Sequence, residues 1–506
     1  MSDVVVGLDI GTSSTKAIAT DADGVVRAQV TAAHDVLLPA PGWVEQDAEA
    51  IWWNEACGVL RDLGARLTVD GLHVAALAIS GLGPCVLTCD RSMQPLRTAI
   101  LYGIDTRAEA QIDRLNRELG EDAILARGGS RLTSQAAGAK LAWLRENEPE
   151  RWSRAAGFYS ASSFLIGRLT GEYILDHHSA SQFSPLYDLE AGGWASDWAE
   201  SVLGDLPLPR LVWSNEICGA LHDSGAAATG LPVGTPILGG TIDAWAEAHS
   251  VGVRRPGEML LMYGSTMFLI APVPPGGRHP GLWRTEGLRE GGETFAAGMA
   301  TSGLLTNWLS DLTGQPIEEL AAQAAEVEPG AEGLLLLPYF SGERSPLFDP
   351  GARGVALGLR LGHGPAQMMR AIYEGTAFSV RHVLEEFDRA GRAEAEAPSW
   401  RITVAGGGTK SRLWAQLVSD ITGHSQYVPE QTIGASYGDA LLAAAAIGMV
   451  DDEADWTKIR EVIEPRAELV SDYERRFAAY LELYPATRGL LDELAAQPRG
   501  AIHADV

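Results

Sequence analysis

Short apolar runs broken by Gly-Ser/Thr turns set the rhythm of both halves of the chain. Val4 to Ile10 is almost wholly apolar, breaks at Gly11-Thr12-Ser13-Ser14 and resumes over 15–20; a third run at 25–31 follows the Asp23-Gly24 turn. Apolar runs of this length between turn residues predict strands, and three in close succession predict hairpins. A helical period follows at about 47–67, then a strand over His73–Ser80, a further strand at 84–89 and helices at about 105–119 and 136–147. Asp176 to Trp198 keeps no period and reads as irregular. A Pro/Gly-rich stretch at 230–236 leads into a strand at 237–240.

The second half repeats this order. A hairpin at 258–271 turns at Gly264-Ser265-Thr266, followed by a strand near 295–299, helices at 303–313 and 316–325 and a strand at 333–338. A long helix at 364–390, a strand at 402–405 ending in Gly406-Gly407-Gly408, and helices at about 411–422 and 436–447 complete the pattern. Gly11 and Gly264 stand 253 positions apart (264 less 11), half of the 506 residues. Strands first and alternating helix and strand afterwards, twice over, predict an α/β chain of duplicated halves. Beyond 484 the pattern weakens, and that tail is expected to fray.

Length agrees: 506 residues exceed one ordinary core, so two or three domains are expected. With 46% hydrophobic and 21% charged residues the composition is that of a soluble globular protein. No apolar run approaches the length of a membrane span, and the start lacks a secretory pattern. Cys57, Cys85, Cys89 and Cys218 form no C-x-x-C pair, which suits reduced thiols in a cytoplasm. A net charge of −27 repels nucleic acid and anionic membranes, and excludes both as partners. An anionic ligand would then need backbone amides, a metal or a few placed cations. Only Lys16, Lys140, Lys410 and Lys458 are lysines.

Glycine-rich hairpin tips expose amides and hydroxyls and make concave anion sites, glycine serving close approach or a positive φ. Asp9, ending an apolar strand beside such a tip, is placed where a magnesium-bound water would be held; the alternative is an Asp that caps its own turn. Gly239-Gly240-Thr241-Ile242-Asp243 delivers a carboxylate to a helix start, where it would take a proton from an attacking hydroxyl or act as a plain N-cap. Ala405 to Trp414 lacks the order of a Walker A loop, since Thr409 precedes Lys410, but offers a surface for a nucleotide. Gly81-Leu82-Gly83 fails as a dinucleotide fingerprint because Val86 stands where the third glycine belongs. His177-His178 reads as a solvated loop, and Trp194 and Trp198 as core packing or a lining of the cleft.

Taken in order, these segments resemble the FGGY family of carbohydrate kinases over nearly the whole chain. Gly7 to Lys16 is similar to its N-terminal phosphate motif, and Pro41 to Asp47 to the segment that follows. Pro95-Leu96-Arg97 through Asp105-Thr106-Arg107-Ala108 resembles the sugar-facing stretch, Gly240 to Asp243 the catalytic one, and Gly342 to Gly354 another common stretch. Gly406-Gly407-Gly408 and Ser436-Tyr437-Gly438-Asp439-Ala440 resemble the adenosine side. The resemblance implies two actin-like (ribonuclease H-like) domains around a central cleft: 1–247 for the sugar and first phosphate turn, 248–484 for ATP, with 485–506 as a tail. It implies ATP with Mg2+ as donor, and a small ketose, sugar acid or polyol as acceptor. Asp243 would be the general base and also touch the sugar, with Asp9 at the metal. Thr12, Ser13, Gly264, Ser265 and Thr266 would meet the phosphates; Gly407, Gly408, Ser411 and Arg412 would lie along the adenosine. Gly81, Asp105 and Arg107 would face or brace the sugar.

The departures concern the acceptor. Xylulokinases usually carry Gln-Met-His where this chain has Gly81-Leu82-Gly83-Pro84-Cys85. Tyr102-Gly103-Ile104-Asp105 replaces Trp-Asn-Asp, Ala244 replaces an Asn or Gln, and the family signature around Lys140 is lost at Gln135 and Ala137. An actin-fold ATPase switch and a catalytically idle sugar-binding regulator are the competing readings. The acceptor and the oligomeric state stay open, a homodimer among the options.

Overall fold

The computed structural model describes residues 2–391 and 400–495. Within those limits the chain forms two compact units, and neither is a single stretch of sequence. The first takes Met1–Pro256, Pro272–Thr294 and Gln431–Thr457; the second takes Gly257–Ala271, Phe295–Glu430 and Lys458–Val506. The segment 431–457 makes its contacts within the first unit.

The sheet of the first unit contains β1 (Ser2–Ile10), β2 (Ser14–Thr20), β3 (Val26–Ala33), β4 (Leu72–Gly81), β5 (Ile217–Ala220) and β6 (Pro236–Leu238), in the order β3-β2-β1-β4-β6-β5. The first three strands pair antiparallel, β4 and β6 run parallel to β1, and β5 returns antiparallel. Reaching the parallel β4 from β3 needs a crossover, which helix α1 (Ala56–Val69) supplies. The second unit repeats this. Its β7 (Glu258–Tyr263), β8 (Met267–Val273), β9 (Glu293–Gly298), β10 (Arg401–Ala405), β11 (Gln426–Pro429) and β12 (Ile459–Ile463) lie in the order β9-β8-β7-β10-β11-β12. Here β8 is antiparallel to β7, β10 and β11 run parallel to β7, and β12 is antiparallel. The expected duplication is therefore one of strand order.

β1 is apolar at consecutive positions because both its faces are covered. Val4, Val6, Leu8 and Ile10 pack with Val59, Leu60 and Leu63 of α1. On the other face Val5 meets Ala440, Ala443 and Ala444 of a later helix, Ala435–Ala446. The remaining helices used below are α2 (Ala137–Asn147), α3 (Asp243–Ser250), α4 (Pro365–Gly391), α5 (Arg412–Thr422), α6 (that same Ala435–Ala446) and α7 (Val470–Ala495). α6 is pressed between β1 and α3. A Cβ on Gly7 would lie 1.9 Å from the Ser436 carbonyl oxygen, and one on Gly438 1.8 Å from that of Ala246. Only glycine permits either approach.

Three regions differ from expectation. The helix expected at 47–67 starts as a π-helical stretch, Ala48–Glu55, capped by Asp47, whose carboxylate accepts from the Glu49 and Ala50 amides. The stretch 176–198 is ordered: Asp176 caps a short helix, His177–Ser181, and Tyr187–Asp188 pairs with Gly193–Trp194. His178 is buried against Trp245 with its Nδ1 2.7 Å from the Glu286 carbonyl oxygen, and His177 stacks on Trp213, so neither lies in a solvated loop. Trp194 is half-buried and packs against the core, its indole N–H donating to the Pro209 carbonyl. Finally, α7 runs past 484 and through Pro485 to Ala495, because Tyr473, Phe477 and Tyr480 bury one face and Arg488 pairs with Asp349 beyond the proline. The rest of the expected tail, 496–506, lies outside the described residues.

Candidate active site

Parallel strands bring their C-terminal ends to one edge of a sheet, where side chains project past the hydrogen-bonded ladder. In the first unit Asp9 of β1 stands opposite Ser80 of β4 and, across the hairpin, opposite Lys16 of β2. Thr241-Ile242 pairs parallel with Ser80-Gly81, so the next residue, Asp243, opens α3 at the same edge. Glu247 follows one helical turn later on the same face. Asp9, Asp243, Glu247 and Lys16 are partly exposed, whereas Ser80 is buried.

These groups feel one another. Burial raises the Asp9 carboxyl well above its usual range, and the negative charges of Asp243, Asp439 and Glu247 add to the effect. Asp243 is pushed up to about 7, mainly by burial, while the Ala244 amide opposes the shift. Burial also raises Glu247, and the ammonium of Lys16 pulls it back. Lys16 is lowered by burial against the pull of Asp9 and Glu247, and it donates to the Ile433 carbonyl oxygen. Asp243 is the first residue of α3 rather than its cap: Oδ1 accepts from the adjacent Ala244 amide, at 2.7 Å. A carboxyl near neutrality in the first turn of a helix is suited to accepting a proton.

In the first turn, the Gly11 amide donates to the Ser14 carbonyl at 2.9 Å, the Thr12 hydroxyl lies 3.0 Å from that of Tyr102, and Ser13 is exposed. The second turn, in the second unit, is built alike: the Gly264 amide donates to the Thr266 carbonyl at 3.0 Å, with Gly264 and Ser265 exposed and Thr266 half-buried. Neither Gly11 nor Gly264 has a positive φ. Close approach is what remains: a Cβ at either would come within 3.0 Å of a carbonyl oxygen of its own turn.

Near Gly264 the second unit places the triglycine. β7 runs beside β10, and Gly406, at φ +95°, is so tight that a Cβ would fall 2.4 Å from the Tyr263 carbonyl oxygen. Gly407 is exposed, Gly408 lies over Tyr263 and Trp414, and Ser411 caps α5. The exposed Arg412 pairs with Glu461 at 3.0 Å. Ser436 to Ala440 lie in the first unit.

Asp105 and Arg107 are buried together. Arg107 donates twice to Asp105, at 2.9 and 2.7 Å, pairs with Glu45 at 2.7 Å and lies 4.0 Å from the Trp43 ring centre. Asp105 also accepts from the Val44 amide at 2.7 Å. Such a bidentate, stacked pair is a rigid brace. Gly81 is buried against Ala161. In the acceptor stretch that follows it, the Cys85 thiol is committed to the Leu82 carbonyl.

Sequence reasoning missed Ser80 and Glu247, and named Asp439 only within the stretch that resembles the adenosine side. The i, i+4 spacing of Asp243 and Glu247 was an available signal; nothing in sequence joins Ser80 to Asp439, 359 positions later.

A family model described as the N-terminal domain of the FGGY family of carbohydrate kinases matches residues 4–249, and its C-terminal counterpart matches 265–447. A glycerol kinase of Trichlorobacter lovleyi is 31% identical over 90% of this chain and 92% of its own. A xylulose kinase of Bacillus subtilis is 28% identical over 96% and 97%. The crystal structure of xylulose kinase from Rhodospirillum rubrum superposes with a TM-score of 0.89 at 30% identity, covering 97% of this chain and all of the other.

Proposed function

The chain belongs to the FGGY family of carbohydrate kinases and is a sugar-phosphorylating enzyme, and from that premise we propose that it moves the γ-phosphoryl group of ATP to a hydroxyl of a small ketose, sugar acid or polyol, with Asp243 as the base. The observation that carries this is the meeting of Asp243 with Asp9, 234 positions apart (243 less 9), at one sheet edge, close enough for the charge of Asp243 to act on Asp9.

In this reading Asp243 accepts the proton of the attacking hydroxyl as the oxygen meets phosphorus. The helix start behind it, and Lys16 opposite Asp9, offset the charge of the carboxylate cluster. Thr12 and Ser13 on one turn, and Gly264, Ser265 and Thr266 on the other, donate to phosphate oxygens. Gly407, Gly408 and Ser411 flank the nucleoside, and Arg412 reaches it only by leaving Glu461. Asp105 and Arg107 act on the acceptor as a brace for the 102–107 loop.

Mg2+ fits Asp9. Among the described residues no group of three or more His, Cys, Asp or Glu is placed to hold a metal, and magnesium prefers one or two carboxylates with waters and phosphate oxygens. When bound it would neutralise charge developing on the phosphates. For the acceptor, the stretch Gly81 to Cys85 offers a sugar no free polar side chain, and the relatives' names divide between glycerol and xylulose.

The test is a coupled ADP-release screen over glycerol, D-xylulose, other pentuloses, hexuloses and aldonates. One acceptor should raise turnover at least roughly a hundredfold over ATP alone, the scale of a positioned base. Equal ATP turnover with and without every acceptor would favour the ATPase switch and end this proposal.

A further inference from the structure

Gln46 is buried, and its side chain reaches the first glycine turn from outside the hairpin. Its Nε2 lies 3.0 Å from the Thr12 carbonyl oxygen and 3.3 Å from that of Gly11, with His34 Nε2 at 3.2 Å. Its Oε1 accepts from the Trp52 indole N–H at 2.8 Å. An indole N–H only donates and a carbonyl only accepts, so one arrangement of the amide serves all three: Oε1 on Trp52 and the NH2 group on the turn. The opposite arrangement would set N–H against N–H and oxygen against two oxygens.

A trans peptide is planar, so a carbonyl and the N–H that follows it point to opposite sides. With the Gly11 and Thr12 carbonyls drawn towards Gln46, the Thr12 and Ser13 amides are turned away from it, and among the described residues neither meets a protein acceptor. The second turn, within its own unit, reaches the same end. The Gly264 carbonyl accepts from the Ser302 hydroxyl at 3.1 Å and the Gly303 amide at 3.2 Å. The Ser265 carbonyl accepts from the Ser302 and Leu304 amides, both at 3.1 Å. Equivalent carbonyls are anchored in both turns, largely by backbone donors in the second and by a side-chain amide in the first.

That amide is itself held in place. Glu45-Gln46 pairs antiparallel with Ala99-Ile100, and Asp47 caps the π-helical stretch that carries Trp52. Trp52 is buried, its ring centre 6.1 Å from that of Phe164. Neighbouring residues of a strand point to opposite faces, which sends Glu45 to Arg107 and Gln46 to the turn.

We propose that Gln46 is a positioning residue for the phosphoryl donor: pinned by the Trp52 N–H, its amide holds back the Gly11 and Thr12 carbonyls and so presents the Thr12 and Ser13 amides to the phosphates of ATP. This rests on the assignment of the first turn to phosphate made above.

The experiment compares Gln46→Met, Trp52→Phe and Val59→Ala with the parent. ATP and adenosine affinities are read by titration calorimetry without acceptor, and urea midpoints follow stability. Gln46→Met keeps the volume but strips two turn carbonyls of their donor, so ATP affinity should fall at least about tenfold. Adenosine affinity should stay as in the parent, because no phosphate is involved. Trp52→Phe keeps the glutamine but frees its amide to turn over, and should cost ATP affinity at least about threefold. Val59→Ala loosens the same core away from the turn; it should lower the urea midpoint and leave ATP affinity alone. Unchanged ATP affinity in Gln46→Met would overturn the proposal. So would an equal fall for adenosine, or an equal fall for ATP in Val59→Ala, since either would mark general loosening. Should Gln46→Met fail to fold, Trp52→Phe decides, and its unchanged ATP affinity would overturn the proposal. A parent that binds ATP but phosphorylates nothing would defeat the kinase assignment, while the calorimetric arms would still judge Gln46.

Discussion

At the scale of single residues, the site turns on carboxyls whose proton affinity is set by burial. Asp243 must be ionised to act as a base and is pushed up to about 7, so kcat/KM is expected to fall about tenfold per pH unit below neutrality and level off above it. Asp243→Asn should lower turnover roughly a hundredfold or more, leave ATP affinity nearly unchanged and erase that acidic limb. A limb that persists in the variant would assign it elsewhere. Lys140 gives the opposite case. It is buried in α2, donates to the Leu101 carbonyl at 2.6 Å, and is pushed down to about 7 by burial despite the nearby Asp105. Between that value and its ordinary 10.5 the unfolded chain binds a proton that the fold gives up. This group therefore makes stability rise with pH across that window. Lys140→Met should flatten the rise, which denaturant midpoints at pH 7 and pH 9 would show. Asp9 and Asp243 were legible in the sequence because each ends an apolar run beside glycine. Ser80 was hidden because a serine ending a strand is commonplace, and Asp439 because only packing reveals its neighbours.

At the scale of elements, the apolar runs located the central strands well, since a strand covered on both faces cannot be confused with an alternating one. The period was less informative where capping decides. Neither the short helix held by Asp176 nor the π-helical entry to α1 leaves a repeating mark, and α7 continues past Pro485 on side-chain anchors outside the helix. α3 bears Asp243 and α6 bears Asp439, and the two helices meet at Gly438. Gly438→Ala would set its Cβ 1.8 Å from the Ala246 carbonyl oxygen and force the helices apart. We expect a loss of about 3 kcal/mol or more, at the upper end for overpacking, accompanied by reduced turnover. Gly58→Ala in α1, where a Cβ meets nothing within 4 Å, should instead be neutral or stabilise by up to about 1 kcal/mol. Urea midpoints of the two variants separate packing from a general intolerance of alanine.

At the scale of the whole molecule, the half-chain echo of two glycine turns announced two repeated sheets, but the echo could not say which later segments return to the first. That return has a measurable result. A fragment ending at Pro256 keeps β1 to β6 and loses α6, leaving Val5, Ile18, Ala76 and Ala78 without their cover. Expressed alone it should fail to give a cooperative unfolding transition, and supplying 431–457 through a short linker should restore one. A fragment that unfolds cooperatively without that segment would show α6 to be dispensable. The same return also fixes an order of events on the ribosome. β1 is among the first residues made, and the helix that covers it is made some four hundred residues later, at synthesis rates that put roughly 20–90 s between them. Throughout that interval the nascent chain carries an uncovered sheet face that must be shielded by a chaperone or held in a provisional fold. Slow codons between β1 and residue 435 would lengthen the exposure.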